Sequence, residues 1–549
     1  MRNIFGRIFL FINSIIYFFY SNIKAKINIL LRSFKEYKVD LHKINKTNIS
    51  PKKKVKILMM DTIHHRLNIY SDCLFVEYLQ NIFDCEVTGL ANSNDNQSKN
   101  FFKFIKTKKN IEINESSLLK KIFLFFEAYK IVNTFKTNDI ENFIKLEIDG
   151  INLGRSVYDH LIRLTGYGSH PNLNAKFVNF LTDALYYKDK LNEIFKKDNY
   201  DYLLLAELQF LPSNILIQIA LKNNVKVLSR IFGPKKTGVR LYKNFDERFQ
   251  SNHSISNKIF SSFIKNDVKR YSLLGFDQLS NVFLRKTNNP DFFSKDVITS
   301  QNEFENKNEL LRHFKWDKET KICTIFSHNM IDGNFYEEWK MFPDIETWLS
   351  KTLTIIKNSN QNLNWIIRAH PSEAYFKRLN TTTMKIFHKI IGNQKNIKLC
   401  PQFCSPNTIK NLTNFAITSH GSIGVEYPCF GIPSVICGTS YYSGNGFAYE
   451  PKNTEEYFKI LNNVEDYIVS GLTENQVDLA RAFYYMHENI ITSNCPLLDD
   501  SFDISDKENF NEFIKDINAL RLKYDINKDN FFKKFNKQIL KNKTFAINE

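Results

Sequence analysis

Three short segments in the second half of the chain carry residue types that suit phosphate and sugar chemistry. The first is Arg368-Ala369-His370-Pro371. It follows the apolar run Trp365-Ile366-Ile367, so a strand delivers His370 to its carboxyl end and Pro371 turns the chain out of the sheet. A histidine there can donate to a phosphate oxygen or pair with a carboxylate, and Arg368 adds a fixed cation. The second is Thr418-Ser419-His420-Gly421-Ser422-Ile423-Gly424-Val425-Glu426. Strand, small-residue turn and helix start together make an anion site: amides near Ser422 to Gly424 point outward and the helix dipole favours negative charge. The Ser419 and Ser422 hydroxyls and Glu426 add groups for phosphate and ribose. The third is Gly438-Thr439-Ser440-Tyr441-Tyr442-Ser443-Gly444-Asn445-Gly446-Phe447, a loop whose glycines and tyrosines suit folding over a sugar or base. Each segment alone also reads as an ordinary turn or loop.

Other candidates lie outside these segments. Ser327-His328 and Asp332 occupy the loop after the strand Ile322–Phe326. Glu207 ends the strand Asp201–Ala206, and Asp61 ends the strand Val55–Asp61. Arg155, Asp159 and Arg163 recur at spacing four, which puts them on one helix face. They form either a solvated ion-pair ladder or a basic ledge facing a cleft.

The elements that must position these residues read as two tandem α/β domains with parallel sheets. Strand, helix, strand begins at Val55, with a helix over 71–83, a strand over 85–90, and a further strand–helix–strand from 201 to 229. Residues 100–200 are mostly helical in pattern, and 240–315 carry weak signals. A second α/β series begins near Lys321, with helix 345–357, strands 365–368, 415–418 and 434–437, and helix 455–461 started by Asn453 and Glu456. The expected division is 1–50, a basic aromatic segment and linker; 51–300, a first Rossmann-like domain with helical insertions; 301–475, a second Rossmann-like domain; and 476–549, C-terminal helices. A ligand is expected at the carboxyl ends of the strands, in a cleft between the domains.

Composition sets the limits. The chain has 549 residues, 43% of them apolar and 24% charged. That excludes a disordered chain, a collagen or a disulfide mini-protein. Eight scattered cysteines lack zinc-site spacing and read as buried thiols. The formal net charge is +17, from 75 lysines and arginines against 58 acids. Part of it concentrates at one end. Arg2, Arg7, Lys24, Lys26, Arg32 and Lys35 precede the first acid, Glu36, and bracket the apolar aromatic run at residues 8–20. The run is shorter than the ~20 residues of a spanning helix. It reads as an interfacial helix on an anionic membrane surface, with docking on the protein body as the alternative. Nucleic acid is excluded as a partner: there is no zinc finger, no RNP-like strand and no arginine-dense helix.

In their order, the His-Pro element, the serine turn and the Gly-Tyr loop resemble the capsule polysaccharide biosynthesis family, which includes transferases of 3-deoxy-manno-octulosonic acid (Kdo). The resemblance covers mainly residues 321–465, with Phe342-Pro343-Asp344-Ile345-Glu346-Thr347-Trp348-Leu349 and the His328–Asp332 loop adding to it. It implies a GT-B-like glycosyltransferase fold, two Rossmann-like domains facing across a cleft, with helical extensions at both ends. It implies a nucleotide-sugar donor, CMP-linked, as substrate, with neither a cofactor nor a metal. Arg368, His370, Pro371, Ser419, His420, Gly421, Ser422, Glu426, Gly444 and Gly446 would bind the donor. Asp61, Arg155, Asp159 and Arg163 would face the acceptor, a glycan or lipid-linked molecule. Asp332, Glu207 and His328 are the candidate catalytic groups, with His328 orienting one of the carboxylates. Further expected partners are the inner-membrane surface and capsule assembly or export machinery, and the expected location is peripheral on the cytoplasmic face. Alternatives are a CDP-glycerol-type polyol phosphotransferase, a nonhydrolysing UDP-sugar epimerase, and a non-catalytic component of polysaccharide assembly.

Overall fold

The structure is a computed structural model that describes residues 10–21, 23–24, 38–44, 53–60, 66–92, 95–113, 117–231, 236–265, 267–284, 304, 306–336, 341–374, 376, 379–402, 404–498 and 510–547. Asp61, Arg2, Arg7, Lys26, Arg32 and Lys35 lie outside these residues.

The chain forms two units. The first comprises residues 1–161, 171–252 and 491–549; the second comprises 162–170 and 253–490. Each is built on one sheet. In the first unit β1 (Lys54–Met60), β2 (Asp84–Ala91), β3 (Lys109–Glu112), β4 (Tyr202–Leu205), β5 (Lys226–Ile231) and β6 (Gly238–Tyr242) lie in the order β3-β2-β1-β4-β5-β6. All neighbours are parallel except β5 and β6. In the second unit β7 (Ile322–Phe326), β8 (Asn364–Arg368), β9 (Ile397–Leu399), β10 (Phe415–Thr418) and β11 (Ser434–Ile436) lie in the order β9-β8-β7-β10-β11, all parallel.

Both sheets therefore have the 3-2-1-4-5 order of a doubly wound Rossmann-like fold. The central strands are apolar throughout because helices cover both faces of a parallel sheet. Leu58, Met59, Leu203 and Leu204 have no exposed surface in the first sheet, nor have Ile325, Ile366 and Ile417 in the second. Helix Ile345–Lys357 starts at Asp344, whose side chain accepts from the Thr347 amide. It seats Trp348 in the core, where Nε1 donates to Tyr457 Oη at 3.0 Å.

The helix expected over 71–83 begins five residues earlier, at Arg66. Among the described residues five strands escaped the sequence pattern: the two-residue hairpin strands Glu147–Ile148 and Ile151–Asn152, the short edge strands β3 and β9 of mixed polarity, and β6, which runs into the weakly patterned 240–315 stretch. The same stretch holds helices Asn257–Ile264 and Val268–Phe283.

The C-terminal helices Phe510–Leu522 and Asn530–Leu540 belong to the first unit, where Phe513, Ile517, Phe531, Phe535 and Ile539 share a core with Tyr70, Phe75 and Tyr78. A buried ion pair fastens them: Arg521 Nη2 lies 2.6 and 2.9 Å from the two Glu77 carboxylate oxygens. Arg521 also donates from Nε to the His42 carbonyl. Removing one member of such a pair leaves the other charged and desolvated. Arg521→Ala should cost about 3–5 kcal/mol of stability in denaturant unfolding, with Glu77→Gln/Arg521→Met recovering part of the loss.

Candidate functional site: a histidine stack at the strand ends of the second unit

The strand order of the second unit reverses between β7 and β10, and a Rossmann-like sheet binds its ligand at the carboxyl ends there. β7 ends into Ser327-His328, β10 into Ser419-His420, and β8 into Ala369-His370. The three imidazoles meet. His328 stacks on His420 with ring centres 4.0 Å apart and planes 26° apart. Its centre is 5.7 Å from that of His370, at 23°. The rings lie face to face, and among the described residues no cluster of His, Cys, Asp and Glu has a metal-holding arrangement.

His370 is held by its own turn. The Ser372 amide donates to Nδ1 at 3.2 Å, and Ser372 Oγ lies 2.7 Å from the same nitrogen. Asn329 Nδ2 donates to Ser372 Oγ at 2.9 Å. Because Nδ1 accepts from an amide, the ring proton of neutral His370 sits on Nε2. Pro371 starts the short turn Pro371–Ala374 that makes this possible. Ser372 and Asn329 were not singled out in the sequence; the serine two places after the histidine was the available signal.

Burial depresses all three imidazoles, pushing His370 and His420 down to about 4. His328 is held well below its ordinary value, first by burial and then by the two neighbouring rings. His328 Nδ1 is buried without a hydrogen-bond partner. The stack is therefore held neutral at neutral pH.

The turn after β10 is rebuilt from the expected form. Its helix, Ile423–Glu426, has only four residues. The Gly424 amide is already donated to the Gly421 carbonyl, and those of Val425 and Glu426 to the Ser422 carbonyl. The outward amides expected over Ser422 to Gly424 thus reduce to those ahead of Gly424. Ser419 Oγ lies 3.1 Å from His420 Nδ1. A Cβ at Gly421 would stand 3.3 Å from His328 Nε2, which places the turn directly against the stack. Ser422 is exposed, and Glu426, hydrogen-bonded to it, has its carboxyl raised by burial.

The Gly-Tyr loop folds back onto this turn. Tyr442 Oη donates to the Gly421 carbonyl at 2.6 Å, and Ser440 Oγ to the His420 carbonyl at 2.8 Å. Gly444 and Gly446 supply positive φ values of 81° and 84°. The Gly444 amide is taken up by Glu450 at 3.0 Å, so the loop acts as a brace for the turn, and that amide is spent.

Arg368 departs from its expected role. Its Nη1 is 3.9 Å from Cys400 Sγ and its Nη2 donates to the Cys404 carbonyl at 3.3 Å. The strand ends at Arg368, so its guanidinium turns toward the segment after β9, while His370, beyond the strand, enters the stack.

The basic helix face also divides. Helix Gly154–Thr165 holds all three residues. Arg155 and Asp159 are buried and paired at 3.4 Å within the first unit, not displayed as a ledge. Arg163, in the second unit, lies 3.9 Å from Asp332 and 4.9 Å from the Phe376 ring centre. A candidate acceptor residue and a candidate catalytic carboxylate are thus brought together, a pairing no sequence spacing signalled. His328 belongs to the imidazole stack, so its expected role of orienting a carboxylate is replaced by ring packing. Glu207, in the first unit, accepts from the Leu208 and Gln209 amides at 2.8 and 2.6 Å.

Two doubly wound units, with residues 491–549 returning to the first, make the architecture plain. The fold is GT-B-like. No family model and no curated protein matches the sequence. Solved structures do. A β-Kdo 2,7 transferase, KpsC, of Thermosulfurimonas dismutans is 12% identical, with 61% of this chain and 90% of that chain covered and a TM-score of 0.32. A UDP-GlcNAc 2-epimerase of Neisseria meningitidis is 10% identical over 79% and 98%, with a TM-score of 0.25. A glycosyltransferase of Rickettsia africae is 11% identical over 86% and 100%, with a TM-score of 0.27. A likeness at this level concerns the fold, and chemistry must be argued from the site.

Two outcomes follow. A Cβ at Gly424 would stand 1.9 Å from Tyr442 Oη. Gly424→Ala should therefore displace the brace and cost about 1–3 kcal/mol, measured by denaturant unfolding. The pH dependence has a definite sign. Free imidazoles titrate near 6.5, so between about 6.5 and 4 the unfolded chain binds protons that the folded stack refuses. Stability from His370 and His420 is complete above pH 6.5 and is lost as pH falls through 4. The melting temperature of His420→Gln should fall less than that of the wild type between pH 7 and pH 5.

Proposed function

We propose that the protein is a glycosyltransferase of bacterial surface polysaccharide assembly. It would move a sugar from a nucleotide donor, CMP-linked and Kdo-like, to a glycan or lipid acceptor at a membrane. The observation that carries this reading is the neutral histidine stack at the strand-order reversal, with His370 Nε2–H fixed as a donor by Ser372.

The chemistry follows from that state. Breaking the bond between sugar and nucleotide builds negative charge on the leaving phosphate. Donors aimed at that charge in a dry site stabilise the transition state without reorganising. His370 donates from Nε2. Phosphate charge raises the imidazole pKa values, so the stack takes up a proton as the donor binds and can deliver it to the leaving group. The turn after β10 adds the amides of Ser422 and Ile423 as donors. Asp332, held by Arg163, is the carboxylate proposed to accept the proton of the attacking hydroxyl; Glu207 is the proposal from the first unit.

Purified protein incubated with CMP-, CDP- and UDP-linked donors should release CMP. His370→Ala should lower the rate about a hundredfold. Ser372→Ala, which frees the tautomer, should shift the pH profile of transfer while leaving the fold intact. Calorimetry in buffers of different ionisation enthalpy should record proton uptake when CMP binds. Release of CDP from CDP-glycerol, or turnover of a UDP-sugar without transfer, would replace this reading. An unchanged rate for His370→Ala would remove it.

A further inference from the structure

A second site lies wholly in the first unit. Residues 10–21 are helical and dock through one face. Phe18 packs on Phe125 at 5.1 Å, and Asn179 Nδ2 donates to the Ser14 carbonyl at 3.2 Å. The opposite face is bare: Ile12, Ile16, Phe19 and Tyr20 are about half or more exposed, as is Ile23 beyond. The neighbouring helix Leu118–Val132 extends the same surface. Leu119 is 80% exposed, Phe123 71% and Phe126 46%, and Phe126 meets Phe11 at 6.3 Å. Apolar patches of this extent are uncommon on isolated soluble proteins.

Beside the patch opens a pocket of about 860 Å³. Ile16, Tyr17 and Tyr20 contribute to its apolar side, and Lys136, Asn174 and Lys176 to its polar side. Apolar residues, aromatic hydroxyls and cations thus succeed one another across one surface. That is the sequence of environments from acyl chain through interface to headgroup phosphate. Charge agrees: the chain up to Lys35 carries Arg2, Arg7, Lys24, Lys26, Arg32 and Lys35 and no acid. Among the described residues no helix is long and apolar enough to cross a membrane, so the surface can lie on a bilayer without spanning it.

We infer that this face seats on an anionic phospholipid surface and that the pocket takes a lipid phosphate headgroup between Lys136 and Lys176. The inference deepens the membrane-acceptor part of the proposed function and rests on that part alone. It sets the pocket as the place where a phosphorylated lipid is held.

Full-length protein is mixed with vesicles of phosphatidylcholine, alone or with about 30 mol% phosphatidylglycerol, and sedimented. Binding is expected only with the anionic lipid. Lys136→Glu/Lys176→Glu should weaken it about tenfold or more, and Leu119→Asp/Phe123→Asp should also weaken it. Inorganic phosphate should displace nothing beyond chloride of equal ionic strength. Both variants should keep the wild-type melting shift with CMP, which tests the second unit separately and confirms folding. Equal binding to neutral vesicles, full binding by the lysine variant, or displacement by phosphate alone would overturn the inference. So would a patch that buries itself in a dimer, seen by analytical ultracentrifugation of the protein without lipid and lost in the Leu119/Phe123 variant.

Discussion

In the absence of an anion, three imidazole rings packed at the ends of adjacent parallel strands disfavour a charge on any of them. With His328 and His420 at a ring separation of 4.0 Å and His370 just beyond, a proton on one ring meets two neighbours and little water. The surroundings are organised around that constraint. Ser372 and Asn329 settle the tautomer of one ring, Ser419 lies beside another, and Tyr442 and Ser440 hold the glycine turn against the third. The tight packing of Gly424 on Tyr442 keeps the turn from relaxing away. Neutral, buried donors held in fixed orientation suit a phosphate in the proposed role because they need no reorganisation when charge arrives.

Much of this was visible before the coordinates. Buried parallel strands announce themselves as unbroken apolar runs, so β7, β8 and β10 and the histidines that follow them could be placed by eye. The helix at Ile345 was legible, because Asp344 caps it. Position along the chain does not show which way a side chain turns. Arg368 is two residues from His370, yet one guanidinium points to Cys400 and Cys404 while the imidazole joins its fellows. Likewise Arg155 and Arg163 share a helix face in the sequence, but their fates differ with what packs on each turn. The Arg163–Asp332 pair needed the tertiary fold, because its members are far apart in the chain.

The spare positive charge has a similar history. Residue counts alone suggest a nucleic acid, a membrane or an acidic substrate equally. The placement of aromatic residues separates these readings. In the first unit the cations accompany a bare apolar surface and an amphipathic pocket. In the second, the candidates at the strand ends are mostly neutral donors, and the cationic Arg368 and Arg163 are engaged with protein groups.

The return of residues 491–549 to the first unit has a consequence for how the molecule is made. Phe75 and Tyr78 lie near the start of the chain, but the rings that enclose them, Phe531, Phe532 and Phe535, come near its end. The second unit can close its sheet on the ribosome while the first still waits with an open hydrophobic wound. Completion runs in the reverse of the order of synthesis. A nascent chain of this kind offers chaperones a long interval of exposure, and a truncation ahead of Phe510 would damage the core around Phe75 and Tyr78 rather than the second unit.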